Sequence, residues 1–375
     1  MPHPGIGVTI ATFAVVIGIL VFVHEMGHYL VGRLFGIRAE AFSIGFGREI
    51  VGWTDRVGTR WKMGVLPIGG YVKFLGDADA SSRPADARDA TAEERAGMFQ
   101  FRPLWQRALV IAAGPLTNFA FAIVIFTGFF AMYGQSVTPP VVDRVAAGSP
   151  SAAAGLRPGD RIVTLDRHIV DTFEEVVAAV TANAGTPIRV GIDRGGRGFV
   201  VRLVPRMVDR VDDFGDHYRV AQIGIAAGSR AIVARSLPQA FVAAIKQVGD
   251  LIAATGRGLG QVVGGRRAAS ELGGPIKIAQ FSGQAAALGL PNLIQFIAFV
   301  SINLGFINLL PVPVLDGGHL FLYAVEAVRR RPLAPRVQEW AFLSGFAALM
   351  SLMVFLTWND LAGIGAWHRL SGLFG

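Results

Sequence analysis

Cysteine is absent from the 375 residues, and charge is scarce, at 17% Asp, Glu, Lys and Arg against about 25% in soluble domains. Without thiols there are no disulfides, no Cys-ligated zinc fingers and no thiol catalysis, and compartment is left open. The shortage of charge, with 52% apolar residues and a mean hydropathy of +0.47, excludes an ordinary soluble enzyme and a disordered polypeptide. Acids are the scarcer sign, 27 against 35 Lys and Arg, for a net charge of +8 and a pI of 10.4. The arginines are scattered through loops rather than gathered in a patch. No nucleic-acid partner is expected, and the excess reads as membrane topology.

What is present is four apolar runs long enough to cross a bilayer, which needs roughly 20 residues of helix. They lie at about Gly7–Val31, Leu104–Tyr133, Leu290–Leu315 and Trp340–Leu361. Pro311 and Pro313 must interrupt the third. Trp340 and Trp358 flank the fourth as an interfacial pair. Residues 1–32 hold no Lys or Arg, whereas ten fall between Arg38 and Arg102, and Arg329, Arg330, Arg331 and Arg336 crowd the last short loop. Those two loops are expected in the cytoplasm and both termini outside it. No basic stretch precedes the first apolar run and no small-residue cleavage site follows it, which is not the pattern of a cleaved signal peptide. The reading is an α-helical polytopic protein of the bacterial inner membrane, with the lipid bilayer as its solvent.

Residues 137–206 differ in kind. Short β-type runs at Val141–Val145, Arg161–Leu165, Ile188–Ile192 and Phe199–Leu203 are separated by turn signals, with a helix at Phe173–Val180. The stretch SPSAAAGLRPGDRIVTLDRHIVDTFEEVV resembles a bacterial PDZ domain, an α+β module. Tyr218–Ala227 looks like its carboxylate-binding loop placed late, as in circularly permuted members. Such domains take an extended peptide or a free C-terminus by adding it to a sheet edge. The expected organisation is an N-terminal membrane part (1–136, with a cytoplasmic β-hairpin loop at about 38–103), one extracytoplasmic PDZ domain (137–230), an amphipathic linker (231–289) and a C-terminal membrane part (290–375). Asp77–Arg95, rich in Asp and Ala, reads as a solvated segment with no assignable role.

The chemistry is concentrated in the first span. His24, Glu25 and His28 form H-E-x-x-H. Positions i and i+4 share a helix face, so both imidazoles reach one metal while Glu25 reaches a bound water. Three ionisable groups this close cost about 2.5–3.5 kcal/mol each at mid-membrane unless paired or solvated. A catalytic zinc takes three protein ligands and keeps one position open. Asp316, the sole acid between Glu271 and Glu326, is the favoured third ligand, and His319 competes with it.

HEMGH in one span, AGPLTNF in a second, a PDZ-like insert and NLLPVPVLDGG in a third resemble the intramembrane site-2 zinc metalloprotease family, nearest to the bacterial members that regulate sigma-E signalling. The resemblance covers nearly the whole length. It implies one catalytic Zn2+ on His24, His28 and Asp316, with Glu25 as general base. It further implies that Gly114, Pro115, Asn118, Asn308, Pro311 and Pro313 line the site. The family also has a membrane-associated β-hairpin after its first span, matched by Lys62–Gly76. Val65–Lys73, with Gly69, Gly70 and Tyr71, would then form an edge strand able to hold an unwound substrate. Asn118 and Asn308 either donate to the substrate backbone or join helices. The implied substrates are single-span membrane proteins already trimmed outside, such as anti-sigma factors, and remnant signal peptides. The PDZ domain would gate against untrimmed ectodomains. One PDZ domain stands where the nearest relatives have two, so a two-module filter does not transfer. The alternatives are a non-catalytic PDZ-bearing receptor or scaffold with a structural metal, which would want four protein ligands, and a metal transporter, which would want repeats that four spans do not show.

Overall fold

The computed structural model describes residues 4–77, 91–211, 217–265 and 273–363. Much of the Asp/Ala-rich stretch, the Arg-rich break before residue 273 and the last twelve residues lie outside that set. The protein divides into two compact units, Met1–Gly128 with Phe241–Gly375, and Phe129–Ala240.

Helix α1 (Ile6–Leu34) carries the H-E-x-x-H residues. It stops where Gly36 enters the left-handed region (φ +72°), and the Ile37 N–H returns to the Gly32 carbonyl, with Arg33 in the last turn. Strands β1 (Ala39–Thr54) and β2 (Arg60–Phe74) follow. Ala41–Ile44 pairs with Arg60–Met63 on one side and with Gly70–Lys73 on the other, while Val51–Thr54 pairs back onto Arg60–Met63. The ribbon therefore curls on itself, and Gly70–Phe74, paired with β1 on one side, has no strand on its other side among the described residues. Phe42, Val72 and Phe74 bury its base against Tyr29 and Ile37, whereas Phe46, Ile50, Val51, Trp53, Met63, Val65 and Leu66 stay exposed at its far part.

A short helix α2 (Ala92–Gly97) opens with a Thr91–Glu94 capping box, and α3 (Leu104–Tyr133) contains Pro115.

In the second unit, β3 (Gln135–Val137), β4 (Val142–Val145), α4 (Pro150–Ala153), β5 (Arg161–Leu165), β6 (His168–Ile169), α5 (Phe173–Ala182), β7 (Ile188–Arg194) and β8 (Arg197–Leu203) come first. Then come β9 (Arg206–Val211), β10 (His217–Gln222), β11 (Ile225–Ala227) and β12 (Ala231–Val233). One sheet runs β6-β5-β7-β8, and β4 pairs with β11, β3 with β12 and β9 with β10. Ile162, Ile188, Val190, Ile192 and Val176 fill the core between sheet and α5. Helix α5 starts with a Thr172–Glu175 capping box. Ala231–Val233, expected in a linker, is a strand here because it closes against Gln135–Val137.

The polypeptide re-enters the first unit through α6 (Leu237–Val263), then α7 (Pro275–Ala287), α8 (Leu290–Asn308), α9 (Asp316–Arg329) and α10 (Pro335–Gly363). The third apolar run is helical only to Asn308; a turn over 309–315 carries Pro311 and Pro313 before α9 begins. Among the described residues, four helices are long and apolar enough to span a bilayer: Ile6–Leu34, Leu104–Tyr133, Leu290–Asn308 and Arg336–Ala362. Val16, Leu20 and Ile297 pack α1 on α8. The carboxylate of Asp360, fully buried, accepts from the Gly274 and Lys277 N–H groups at 3.1 and 3.0 Å, so α10 caps the start of α7.

Candidate metal centre and active site

The helical period puts His24 and His28 one turn apart on the buried face of α1. Gly27, between them, lets α3 approach: a Cβ there would lie 2.5 Å from the Ala113 carbonyl oxygen. Gly114 does the same from the other side, since a Cβ on it would overlap the His28 ring and stand 2.9 Å from His24 Cε1. Two glycines, one on each helix, thus set the distance between the spans.

The third group arrives by a tight turn. Leu315 N–H bonds to the Val312 carbonyl and Gly318 N–H to that of Leu315. Gly317 and Gly318 press on the carbonyls of Leu309, Leu310 and Val312 so closely that neither has room for a Cβ. Val314 is held at φ +92°, a strained conformation for a β-branched residue, two positions before Asp316.

This turn brings Asp316 Oδ2 to 3.1 Å from His24 Nε2 and Oδ1 to 3.7 Å from His28 Nε2, with the two Nε2 atoms 3.3 Å apart. A four-coordinate ion with bonds of about 2.0–2.2 Å separates its donors by about 3.3 Å. Asp316 Oδ2 is buried without a hydrogen-bond partner. Acceptor atoms converging at these spacings, one of them orphaned, fit a divalent cation. Among the described residues these three form the one group of His, Asp and Glu close enough to share an ion. His319 stands outside it, its ring tilted by 43° against Phe342 with the centroids 4.8 Å apart.

The donors open into a cavity of about 650 Å3. Glu25 faces it, and so do Gly69, Gly70 and Tyr71 of the β2 edge, Asn308 of α8 and His319; Val21, Ile111, Leu304 and Phe342 give apolar walls. Gly70 is required by closeness, because a Cβ would meet Val21 Cγ1 at 2.5 Å and Glu25 Cγ at 3.3 Å. The backbone amide of Val72 is the polar neighbour of the Glu25 carboxyl.

Several residues expected to line the site do not face this cavity. Asn118 is fully buried between α3 and α8, with its amide 3.1 Å from His24 Nδ1. Gly114 and Pro115 are buried within α3, where Gly114 backs the imidazoles and the Pro115 carbonyl faces Gly305. Pro311 and Pro313 shape the turn, and the Pro313 carbonyl packs on Gly345 of α10. Of the residues expected to contact substrate, Gly69, Gly70, Tyr71 and Asn308 line the cavity. Gly27 was not anticipated, although a glycine inside an apolar helix costs about 1 kcal/mol against Ala and so signals close packing.

Comparison with known proteins finds relatives over most of the chain. The model of Peptidase family M50 matches residues 12–352. A protein of Agrobacterium fabrum, provisionally named a zinc metalloprotease, is 46% identical over 361 residues, covering 95% of this chain and 96% of its own. Metalloprotease MmpA of Caulobacter vibrioides is 36% identical over 396 residues, 99% of each protein. Among solved structures, the PDZ domain of an SdrC-like protein from Listeria monocytogenes is 19% identical, covering 25% of this chain and 90% of its own, with a TM-score of 0.20. The chain is a membrane protein belonging to peptidase family M50, the site-2 proteases.

Proposed function

We propose that the protein is an intramembrane zinc endopeptidase that hydrolyses peptide bonds within or beside transmembrane segments. The observation that carries this reading is the three-donor set with a fourth side open to the cavity that Glu25 faces. A structural site would close with a fourth protein ligand, and none joins the set among the described residues.

His24, His28 and Asp316 would hold the ion. Bound zinc brings the pKa of its water to about 7 and polarises a carbonyl oxygen. Glu25, which faces the same cavity, would accept a proton from the attacking water and return it to the leaving amine. The edge at Gly69–Tyr71 supplies backbone hydrogen bonds to a substrate whose helix has unwound, which hydrocarbon cannot do. Asn308 stands in the same wall and offers its amide to the substrate backbone. The apolar walls at Val21, Ile111, Leu304 and Phe342 suit the apolar side chains of a transmembrane segment.

The insert between the second and third spans is a PDZ domain of the circularly permuted kind, a reading supported by GLRPGD before β5 and by β11 pairing with β4 late in the sequence. Its ligand is an extended peptide or C-terminus. The distribution of Lys and Arg supports placing that domain outside the cytoplasm in the inner membrane. Single-span proteins already trimmed, such as anti-sigma factors or remnant signal peptides, are the substrate class, in regulated intramembrane proteolysis.

The test is cleavage of a model transmembrane peptide by purified protein. Glu25→Gln is expected to abolish cleavage with zinc retained, and a chelator to abolish it in the parent. Proteolysis by Glu25→Gln in detergent would overturn the assignment.

A further inference from the structure

Both metal-facing imidazoles have their second nitrogen turned toward the same helix. His28 Nδ1 lies 2.8 Å from the backbone carbonyl of Val110, and His24 Nδ1 lies 3.1 Å from the carboxamide of Asn118. Val110 and Asn118 are two turns apart on α3, with Gly114 midway. A carbonyl only accepts, so His28 must carry its hydrogen on Nδ1 and leave Nε2 bare. That is the tautomer a metal ligand needs.

The contact at His24 is not determined in this way, because a carboxamide presents either a donor or an acceptor. With Asn118 Nδ2 toward the ring, Nδ1 would be the bare nitrogen and Nε2 would carry the hydrogen, aimed at the donor set. Asn118 Oδ1 is then buried with no partner. Turned by 180°, the amide keeps its shape and presents Oδ1 to an Nδ1–H, so that Nε2 is bare like its counterpart on His28. The residue is held in place from behind, as Ser301 of α8 donates to the Asn118 backbone carbonyl at 2.9 Å. Asn118, Ser301 and Ala298 are all fully buried, so water does not compete there.

We propose that Asn118 is a positioning residue for the metal, its carboxamide oxygen accepting from His24 Nδ1–H and so fixing the ring orientation and the tautomer that leaves Nε2 free. Helix α3 then acts as one template for both histidines, through a backbone carbonyl at one and a carboxamide oxygen at the other. The assignment rests on the metal reading above. It gives AGPLTNF a role in metal retention rather than in substrate contact: the glycine makes room for the rings, and the asparagine turns one of them.

The experiment uses the full-length protein in detergent and measures zinc affinity by competition with a chromophoric chelator. Asn118→Leu, of similar volume without an acceptor, is expected to weaken zinc binding 10- to 100-fold, the usual cost of losing such a partner. Asn118→Asp keeps an acceptor oxygen and is expected to restore affinity to within a few-fold. Equal affinity in Asn118→Leu and the parent would overturn the proposal, as would an Asn118→Asp variant no better than Asn118→Leu. Should Asn118→Leu not fold, the metal-free parent decides by 15N NMR of the imidazoles, since bound zinc would by itself leave the hydrogen on Nδ1: hydrogen on His24 Nδ1 supports the role, and a bare Nδ1 removes it. A parent that binds no zinc at all would instead sink the metal reading.

Discussion

Gly114 of α3 and His28 of α1 stand in contact so close that no Cβ fits between them. Replacing this glycine by alanine adds one methyl group aimed at the ring that faces the ion. Gly114→Ala is expected to cut peptide cleavage by about 100-fold, the scale of a 1 Å misplacement at a reacting centre, and to lower bound zinc as well. Zinc content and turnover on one preparation check both.

Asp316→Asn is expected to remove most of the zinc, because it exchanges an anionic donor for a weak neutral one. His319→Ala is expected to keep zinc, since that ring packs on Phe342 outside the donor set. Metal analysis of the two purified variants distinguishes them, and the opposite pattern would transfer the third-ligand role to His319.

Gly70→Ala separates binding of substrate from binding of metal. The added methyl meets Val21 and the Ser43 carbonyl at 2.5 and 2.6 Å and must push the β2 edge away from Glu25. Turnover is expected to fall by at least about 10-fold with zinc content unchanged; loss of zinc would show that the edge is part of the metal site's support.

In the second unit Asp160, fully buried, accepts from Arg194 Nε and Nη2 at 2.6 and 2.8 Å and from the Arg157 N–H at 2.8 Å. The Arg194 guanidinium is the main cause holding this carboxyl below the usual range, aided by the Arg157 amide. A lowered folded-state pKa contributes stability that is present above the unfolded value of about 3.9. That stability is lost as pH falls through the lower folded value. Amide exchange across residues 142–203 of the full-length protein is therefore expected to quicken only below about pH 4 in the parent, and at neutral pH in Asp160→Asn.

How much of this was legible beforehand differs residue by residue. The shared face of His24 and His28 follows from the 3.6-residue period, and the break after Asn308 from two prolines. Asn118 was ambiguous for a physical reason: an amide in an apolar helix reads alike whether it faces a cavity or a neighbouring imidazole, and rotation about the helix decides. The curl of β1 and β2 was hidden because one strand segment pairs on both sides, which periodicity does not encode. The hairpin of β9 and β10 was missed, since Arg206, Asp209 and Arg210 make it read as loop. Helix α6 continues through Thr255–Gly260, where glycines suggest a stop; the Thr255 hydroxyl, 3.1 Å from Asn303 Oδ1, ties that stretch to α8.

The three donors come from opposite ends of the sequence, two before residue 30 and one at 316. Synthesis at 5–20 residues per second puts roughly 15–60 s between them. Through that interval the first span sits in the membrane with its histidines and Glu25 but without the carboxylate that completes the set. On the proposed reading, a newly made polypeptide would lack its third donor, and with it the means to hold the ion, until its own third span has emerged.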